Sequence, residues 1–139
     1  MSDRVVALAR EWLGTPYLHQ GSLKAGGTDC LGLIRGIWRA LYGVEPEIPP
    51  AYMPDWGEIG REEILWMAAM RHLLPVSREE AWRPGQVLLF RMRRGAIAKH
   101  LGILSGAGRI IHAYQGHGVI ESPLGAPWRE KVVARFRFP

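Results

Sequence analysis

The chain reads as an α+β domain in which N-terminal helices pack on an antiparallel sheet of about five strands. Three observations lead there. Apolar residues recur at helical spacing as far as about residue 73, the period changes to two from Val87 onward, and the only cysteine opens the best-formed helical pattern. Helices first and strands afterwards is the order expected of segregated layers rather than of alternating βαβ units. The 139 residues suit one domain, 1–139, with one core, and an apolar fraction of 47% with 22% charged residues is ordinary for a globular chain.

The first element is expected over residues 3–13, capped by Ser2 or Asp3. Val5, Val6, Leu8, Ala9, Trp12 and Leu13 make its apolar face, and Gly14-Thr15-Pro16-Tyr17 ends it. This start lacks the apolar core and cleavage site of a signal peptide, so a protein made in the cytoplasm and not carried by the Sec pathway is expected. Residues 18–27 form a Gly-bearing loop. The second helix opens at Gly27-Thr28-Asp29-Cys30, with Thr28 or Asp29 as cap, and runs to about Leu41 before Gly43. Leu33, Ile34 and Ile37 share the face of Cys30, which turns the thiol toward the buried stripe. A thiol in a first turn also meets unpaired N–H groups and the positive end of the helix dipole, which favour thiolate. Gly32, Gly36 and Ala40 recur every four residues as a ridge that admits another backbone.

Residues 44–60, rich in Pro, Gly and acidic residues, read as a long surface loop. A helix is expected over 61–73, with Ile64, Leu65, Ala68 and Leu73 inward and Pro75 closing it. Strands then follow at Val87–Phe90, Lys99–Leu104, Arg109–Tyr114, Val119–Glu121 and Val132–Phe136.

Ser105-Gly106-Ala107-Gly108 joins the two strands that carry His100 and His112. A three-residue turn sets the two histidines opposite or diagonal on one face, whereas a two-residue turn or a bulge splits them. If the shared face packs on the Cys30 helix, thiol and imidazoles converge. That is what cysteine nucleophilic catalysis needs: Cys30 as nucleophile, His100 as base and later acid, and His112 as the group that orients it. His100 is the better base because Gly102 leaves room beside it for a substrate. The Cys30 N–H and the Tyr17 hydroxyl are the candidate oxyanion donors. His19 adjoins Tyr17 and is expected to line a cleft without doing chemistry. His72 suits a helix end, and His117 a solvent-exposed turn.

A metal set drawn from His100, His112, Cys30 and Glu121 lacks the tight spacings of zinc ligands, and no phosphate-cradling loop is present, so no cofactor is expected. One cysteine excludes an intrachain disulfide. A formal charge of +5 and pI near 9.9 imply attraction to polyanions. The basic residues cluster only at Arg91–Arg94 and Arg129–Arg137, without a nucleic-acid-binding signature, and no stretch reaches the length of a membrane span.

Gly14-Thr15-Pro16-Tyr17, Asp29-Cys30-Leu31-Gly32-Leu33, Pro84-Gly85-Gln86-Val87-Leu88-Leu89-Phe90, His100-Leu101-Gly102-Ile103 and Ile110-Ile111-His112-Ala113 come in the order found in NlpC-type cell-wall peptidases, which this chain resembles from residue 5 to about 138. The stretches 29–39 and 99–104 are most similar to the short peptidases encoded among phage tail and gene-transfer-agent genes. The resemblance implies a papain-like fold and hydrolysis of an amide bond in peptidoglycan stem peptides, typically that between D-γ-glutamate and the diamino acid. It implies Cys30, His100 and His112 as the triad, with Tyr17, Asp29 and Gly32 at the substrate or oxyanion site. It further implies a phage-like tail or hub protein as partner and action in the host wall, with no nucleic acid and no membrane insertion. Two positions depart from the pattern: Leu31 where many relatives carry Ser, and Gln86 where others carry Asp. A papain-like acyltransferase using the 44–60 loop (Met53, Trp56, Ile59), or a silent tail-tip or wall-binding module, are the competing expectations.

Overall fold

The computed structural model describes residues 2–52, 62–106 and 108–139; the part of the long loop that carries Met53, Trp56 and Ile59 lies outside the described residues. Helix α1 covers Ser2–Arg10 and buries Val5, Val6 and Ala9, with Trp12 packed just beyond it. A two-stranded ribbon, β1 (Ser22–Leu23) and β2 (Gly27–Thr28), leads into α2 (Cys30–Tyr42), whose final turn is closed by the Gly43 N–H donating to the Arg39 carbonyl. Helix α3 spans Ile64–His72. Its buried residues are Leu65 and Ala69, whereas Ile64 and Ala68, expected inward, are half-buried.

The sheet has six strands in the order β3-β8-β4-β5-β6-β7, every neighbouring pair antiparallel. They are β3 (Leu74–Val76), β4 (Val87–Phe90), β5 (His100–Gly106), β6 (Arg109–Tyr114), β7 (Gly118–Pro123) and β8 (Val132–Arg137), with a short helix α4 (Ala126–Arg129) before β8. The expected five strands are all present. The unexpected sixth, β3, holds Pro75. It is an edge strand, the place in a sheet where a missing N–H costs no ladder bond.

Alternation divides the sheet's side chains into two apolar layers. Leu89, Leu101, Ile103, Ile111, Ala113 and Phe136 face the helices and pack with Val5, Leu33, Ile37 and Leu65. Leu88, Phe90, Leu104 and Ile110 face away, under Leu124, Trp82 and Trp128. Fully burying side chains of this size is worth about 1.5–3 kcal/mol each, so the helix-side layer is the main source of stability.

The second layer is closed by a buried arginine. Arg135 donates to the carbonyls of Ala81, Ser77 and Glu80 at 3.2, 2.9 and 2.8 Å and to the Gln86 side-chain oxygen at 3.1 Å, while its guanidinium lies 4.9 Å from the Trp82 ring. Gln86 in turn donates to the Ala81 carbonyl at 3.1 Å. The departure at Gln86 therefore has a structural reason. Its amide bridges Arg135 and the 77–86 loop, both accepting and donating, which a carboxylate cannot do. Arg135→Met is expected to cost about 3 kcal/mol in urea denaturation, because it removes the donor to the Glu80 carbonyl and the Gln86 side-chain oxygen. The Ala81 and Ser77 carbonyls keep the Gln86 amide and the Glu80 N–H. A change below about 0.5 kcal/mol would show that the loop holds without Arg135.

Candidate active site

The start of α2 is held by its own cap. Asp29 is buried, and its Oδ1 accepts from the Gly32 N–H at 2.7 Å while Oδ2 accepts from the Gln20 N–H at 2.8 Å and from the Tyr52 hydroxyl. Both carboxylate oxygens are thus occupied by the chain itself, and the geometry makes Asp29 a cap rather than a free contact for substrate. Gly32 is there for closeness: a Cβ would fall 1.8 Å from the Gly21 carbonyl oxygen. One turn on, a Cβ at Gly36 would meet the Trp12 ring at 2.1 Å. The ridge expected from the spacing ends at Gly36, because Ala40 is exposed.

Cys30 is half-buried, with its thiol enclosed. The sulfur lies 3.6 Å from the Lys99 carbonyl oxygen, and the Leu101 N–H also faces it. The thiol therefore touches the backbone on both sides of His100, the first residue of β5. It is not the thiolate expected from the helix dipole. Burial, reinforced by the neighbouring Asp29 carboxylate, pushes it up to about 12, against the opposing pull of the Leu101, Leu31 and Cys30 N–H groups. Desolvation in a closed site outweighs the helix end.

His100 Nε2 and His112 Nδ1 are 2.8 Å apart. The register that achieves this combines two irregularities. Gly106 pairs with Arg109 across a two-residue turn, but a bulge between Leu104 and Gly106 shifts the pairing so that Leu104 meets Ile110 and Ile103 meets Ile111. Either irregularity alone separates the histidines. Together they cancel and leave them diagonal on one face.

That face is not the one α2 covers. Leu101 and Ala113 point to the helices, while both histidines lie among Phe90, Tyr114 and Trp128 on the other side, with ring centroids 5.0–6.0 Å apart. The expected convergence across the helix-packed face does not occur. The thiol instead lies against the start of β5, an interior strand, at the backbone on either side of His100. Nor does Gly102 leave room for substrate: the space its Cβ would need is filled by Ile110 at 2.4 Å and by the His112 Cβ at 3.3 Å.

Both imidazoles are buried and held neutral. Desolvation followed by the neighbouring ring lowers His100 to about 3, and desolvation followed by the charge on His117 lowers His112 to about 4. Folded values below the unfolded one of about 6.5 mean that only the unfolded chain gains protons as pH falls from 6.5. Stability is complete above that value and is lost on acidification. We expect a loss on the order of 3 kcal/mol between pH 6.5 and 4.5 in denaturant titrations. The slope should flatten in a His100→Gln, His112→Gln variant; an unchanged slope would remove the pair as its source. Glu45, Glu47 and Glu121, all held below the usual carboxylate range by arginine partners, contribute only under this window.

Tyr17 forms a bridge to Thr28 and sits near the thiol. Burial and the Cys30 and Asp29 charges raise its hydroxyl to about 12, which keeps it a hydrogen-bond donor. Sequence reasoning missed Tyr52, Ser122 and Trp128. Tyr52 bonds Asp29 through its hydroxyl, and its carbonyl receives His19 Nε2 at 2.5 Å, so His19 ties a loop to the site. Ser122 Oγ lies 3.2 Å from His112 Nε2, and Trp128 stands edge-on to His112 at 5.0 Å. His72 pairs with Glu47 at 2.6 Å at the end of α3, and exposed His117 stacks on Tyr114. Glu121 pairs with Arg10 and Arg109. Among the described residues no group of His, Cys, Asp or Glu could hold a metal ion, and no helix is long and apolar enough to cross a membrane. Leu31 lines a cavity of about 520 Å³ with Ile34, Trp38, Tyr52, Leu65 and Leu101.

A family model described as "NlpC/P60 family" matches residues 14–137. The chain is 28% identical over 135 residues to the gamma-DL-glutamyl hydrolase of Bacillus subtilis, covering 96% of this chain and 29% of that protein. It is 29% identical over 131 residues to the murein DD-endopeptidase MepS/murein LD-carboxypeptidase of Escherichia coli K12, covering 94% and 59%. It therefore spans less than two thirds of either relative. Among solved structures, an NlpC/P60 family protein from Bacillus cereus superposes with a TM-score of 0.70 at 23% identity, over 99% of this chain and 40% of that one. The NlpC/p60 domain of the peptidoglycan hydrolase SagA gives 0.62 at 23% identity, over 99% of both. These likenesses bear out the papain-like α+β fold.

Proposed function

Since the chain belongs to the NlpC/P60 family, we propose that it is a cysteine peptidase cleaving amide bonds of peptidoglycan stem peptides, with the bond between D-γ-glutamate and the diamino acid as its target. One observation carries the chemistry. An enclosed thiol touches the backbone on both sides of a histidine whose Nε2 is 2.8 Å from a second histidine. With Nε2 so engaged, Nδ1 is the nitrogen of His100 left for the thiol.

In this reading His100 Nδ1 takes the Cys30 proton as sulfur attacks the carbonyl carbon. The Cys30 N–H and the Tyr17 hydroxyl receive the oxyanion. The proton then passes to the departing amine as the C–N bond breaks, leaving a thioester. Water, deprotonated by His100, attacks that thioester, the carboxylate product leaves, and the proton returns to sulfur. Resting neutrality of all three groups fits a site that separates charge only when an acyl group is bound.

The reading is tested by incubating the protein with isolated diaminopimelate-type peptidoglycan and with soluble stem peptides, then identifying fragments by mass spectrometry. Paired new amine and carboxyl ends at the glutamyl–diamino acid bond are expected. Intact substrates in both forms would overturn it and favour a silent wall-binding module. The narrower role, a peptidase carried on a phage-like tail and acting in the host wall, is supported by the likeness of stretches 29–39 and 99–104 alone. An acyltransferase reading is favoured only by the apolar cavity beside Leu31. It predicts acyl transfer from lipid esters in the same assay, and no new peptide ends.

A further inference from the structure

We propose that Ser122 is a positioning residue for the reaction: it ends a directed hydrogen-bond chain that keeps Nδ1 of His100 free to act as base. The inference rests on the peptidase reading above. Ser122 lies on β7 opposite Ile110, two residues from the strand position opposite His112, and its Oγ is 3.2 Å from His112 Nε2. The hydrogen-bonded line is therefore His100, His112, Ser122, and Cys30 lies against the backbone on either side of His100. The two histidines are walled by Phe90, Tyr114 and Trp128, with ring centroids 5.0–6.0 Å from them.

A neutral imidazole carries one N–H, so this line can run in two directions. In one, His100 Nε2–H donates to His112 Nδ1, His112 Nε2–H donates to Ser122 Oγ, and His100 Nδ1 is bare. In the other, the Ser122 hydroxyl donates to His112 Nε2, His112 Nδ1–H donates to His100 Nε2, and the remaining proton of His100 sits on Nδ1. The second arrangement cannot accept the thiol proton. Once His100 is an imidazolium both its nitrogens donate, and only the first direction remains. His112 must then hold its proton on Nε2, and Ser122 Oγ is the acceptor found there.

A buried N–H without an acceptor is costly, and the cost here falls on the charged state rather than on the resting one. The serine is thus a transition-state partner acting through two rings. Two further charged neighbours act at a distance: His117, whose charge bears on His112, stacks on Tyr114, and Lys131 lies over the Trp128 ring at 5.8 Å.

The test uses the full chain. Ser122→Ala is expected to lower kcat about tenfold with KM unchanged, and Ser122→Thr to restore it. Nitrogen-15 spectra of the histidine rings, recorded in a Cys30→Ala background, should show His112 protonated on Nε2, with Nδ1 protonation gaining in the added Ser122→Ala change. Unchanged rate and unchanged ring signals in Ser122→Ala would overturn the proposal. So would equal loss in Ser122→Ala and Ser122→Thr, the mark of a merely structural strand position. If no variant, and not the wild type, cleaves any substrate, the peptidase reading fails, and the ring signals then decide the direction of the chain by themselves.

Discussion

Cys30→Ala is expected to bring hydrolysis of stem peptides down to background, a loss of about 10⁴-fold or more, while urea denaturation shifts by no more than about 1 kcal/mol. The two readouts separate because the sulfur does chemistry without carrying the core. It is only half-buried, and its neighbours Leu33, Ile34 and Ile37 retain their packing. His100→Ala should approach the same loss, because the thiol, held up at about 12, has no other route to thiolate near neutral pH. For the same reason alkylation of the free enzyme by iodoacetamide should be slow at pH 7 and rise steeply above about pH 9. Residual hydrolysis within tenfold of wild type in Cys30→Ala would mean that another group attacks the amide.

Gly32→Ala is expected to be the most damaging glycine-to-alanine change among the described residues, at about 3 kcal/mol or more. Helix propensity alone would make it stabilising by roughly 1 kcal/mol. Sterics win by a wide margin, because the new carbon would lie 1.8 Å from the Gly21 carbonyl oxygen and 2.5 Å from the Thr28 hydroxyl. That carbonyl also receives the Thr28 hydroxyl at 3.1 Å and the Asp29 N–H at 3.2 Å, so it cannot retreat without loosening the cap of α2. Activity should fall along with stability. Gly106→Ala, where a Cβ meets nothing within 4 Å, serves as the comparison and should stay within about 0.5 kcal/mol. Similar effects at the two glycines would show that the loop at Gly21 adapts.

What is legible in the sequence depends on the range of each signal. The cap at Asp29, the helix from Cys30 and its close at Gly43 are local, and each has a residue type that announces it. Five strands announce themselves by alternation. Strand β3 does not: three residues including Pro75 carry no period and depend on β8 for their existence. The pairing of His100 with His112 is accessible as one of several registers, but the choice among them lies in a bulge, which has no clear residue signature. The face that the histidines occupy is hidden for a related reason. Parity tells which residues share a side and is silent on which side the helices cover. Tyr52, Ser122 and Trp128 reach the site from distant positions on a loop, a strand and a four-residue helix, and nothing in their immediate neighbours marks them. The thiol's protonation differs from expectation because a helix terminus is visible in a sequence and enclosure is not.

The bulge and the two-residue turn between β5 and β6 bear on how this hairpin can change length. Deleting the bulged Ser105 lets the Gly106–Arg109 pair follow directly on the Leu104–Ile110 pair, so the ladder beyond is untouched and the histidines stay diagonal. One residue added between Gly106 and Arg109 only lengthens the turn and leaves Ile103 opposite Ile111. A single insertion or deletion between His100 and Ile103, by contrast, turns His100 to the helix side relative to the paired segment. The tip of the hairpin can therefore vary in length where its paired segment cannot. A library of single insertions and deletions across residues 100–112, selected for wall hydrolysis, should return changes at 105–108 and almost none at 101–103.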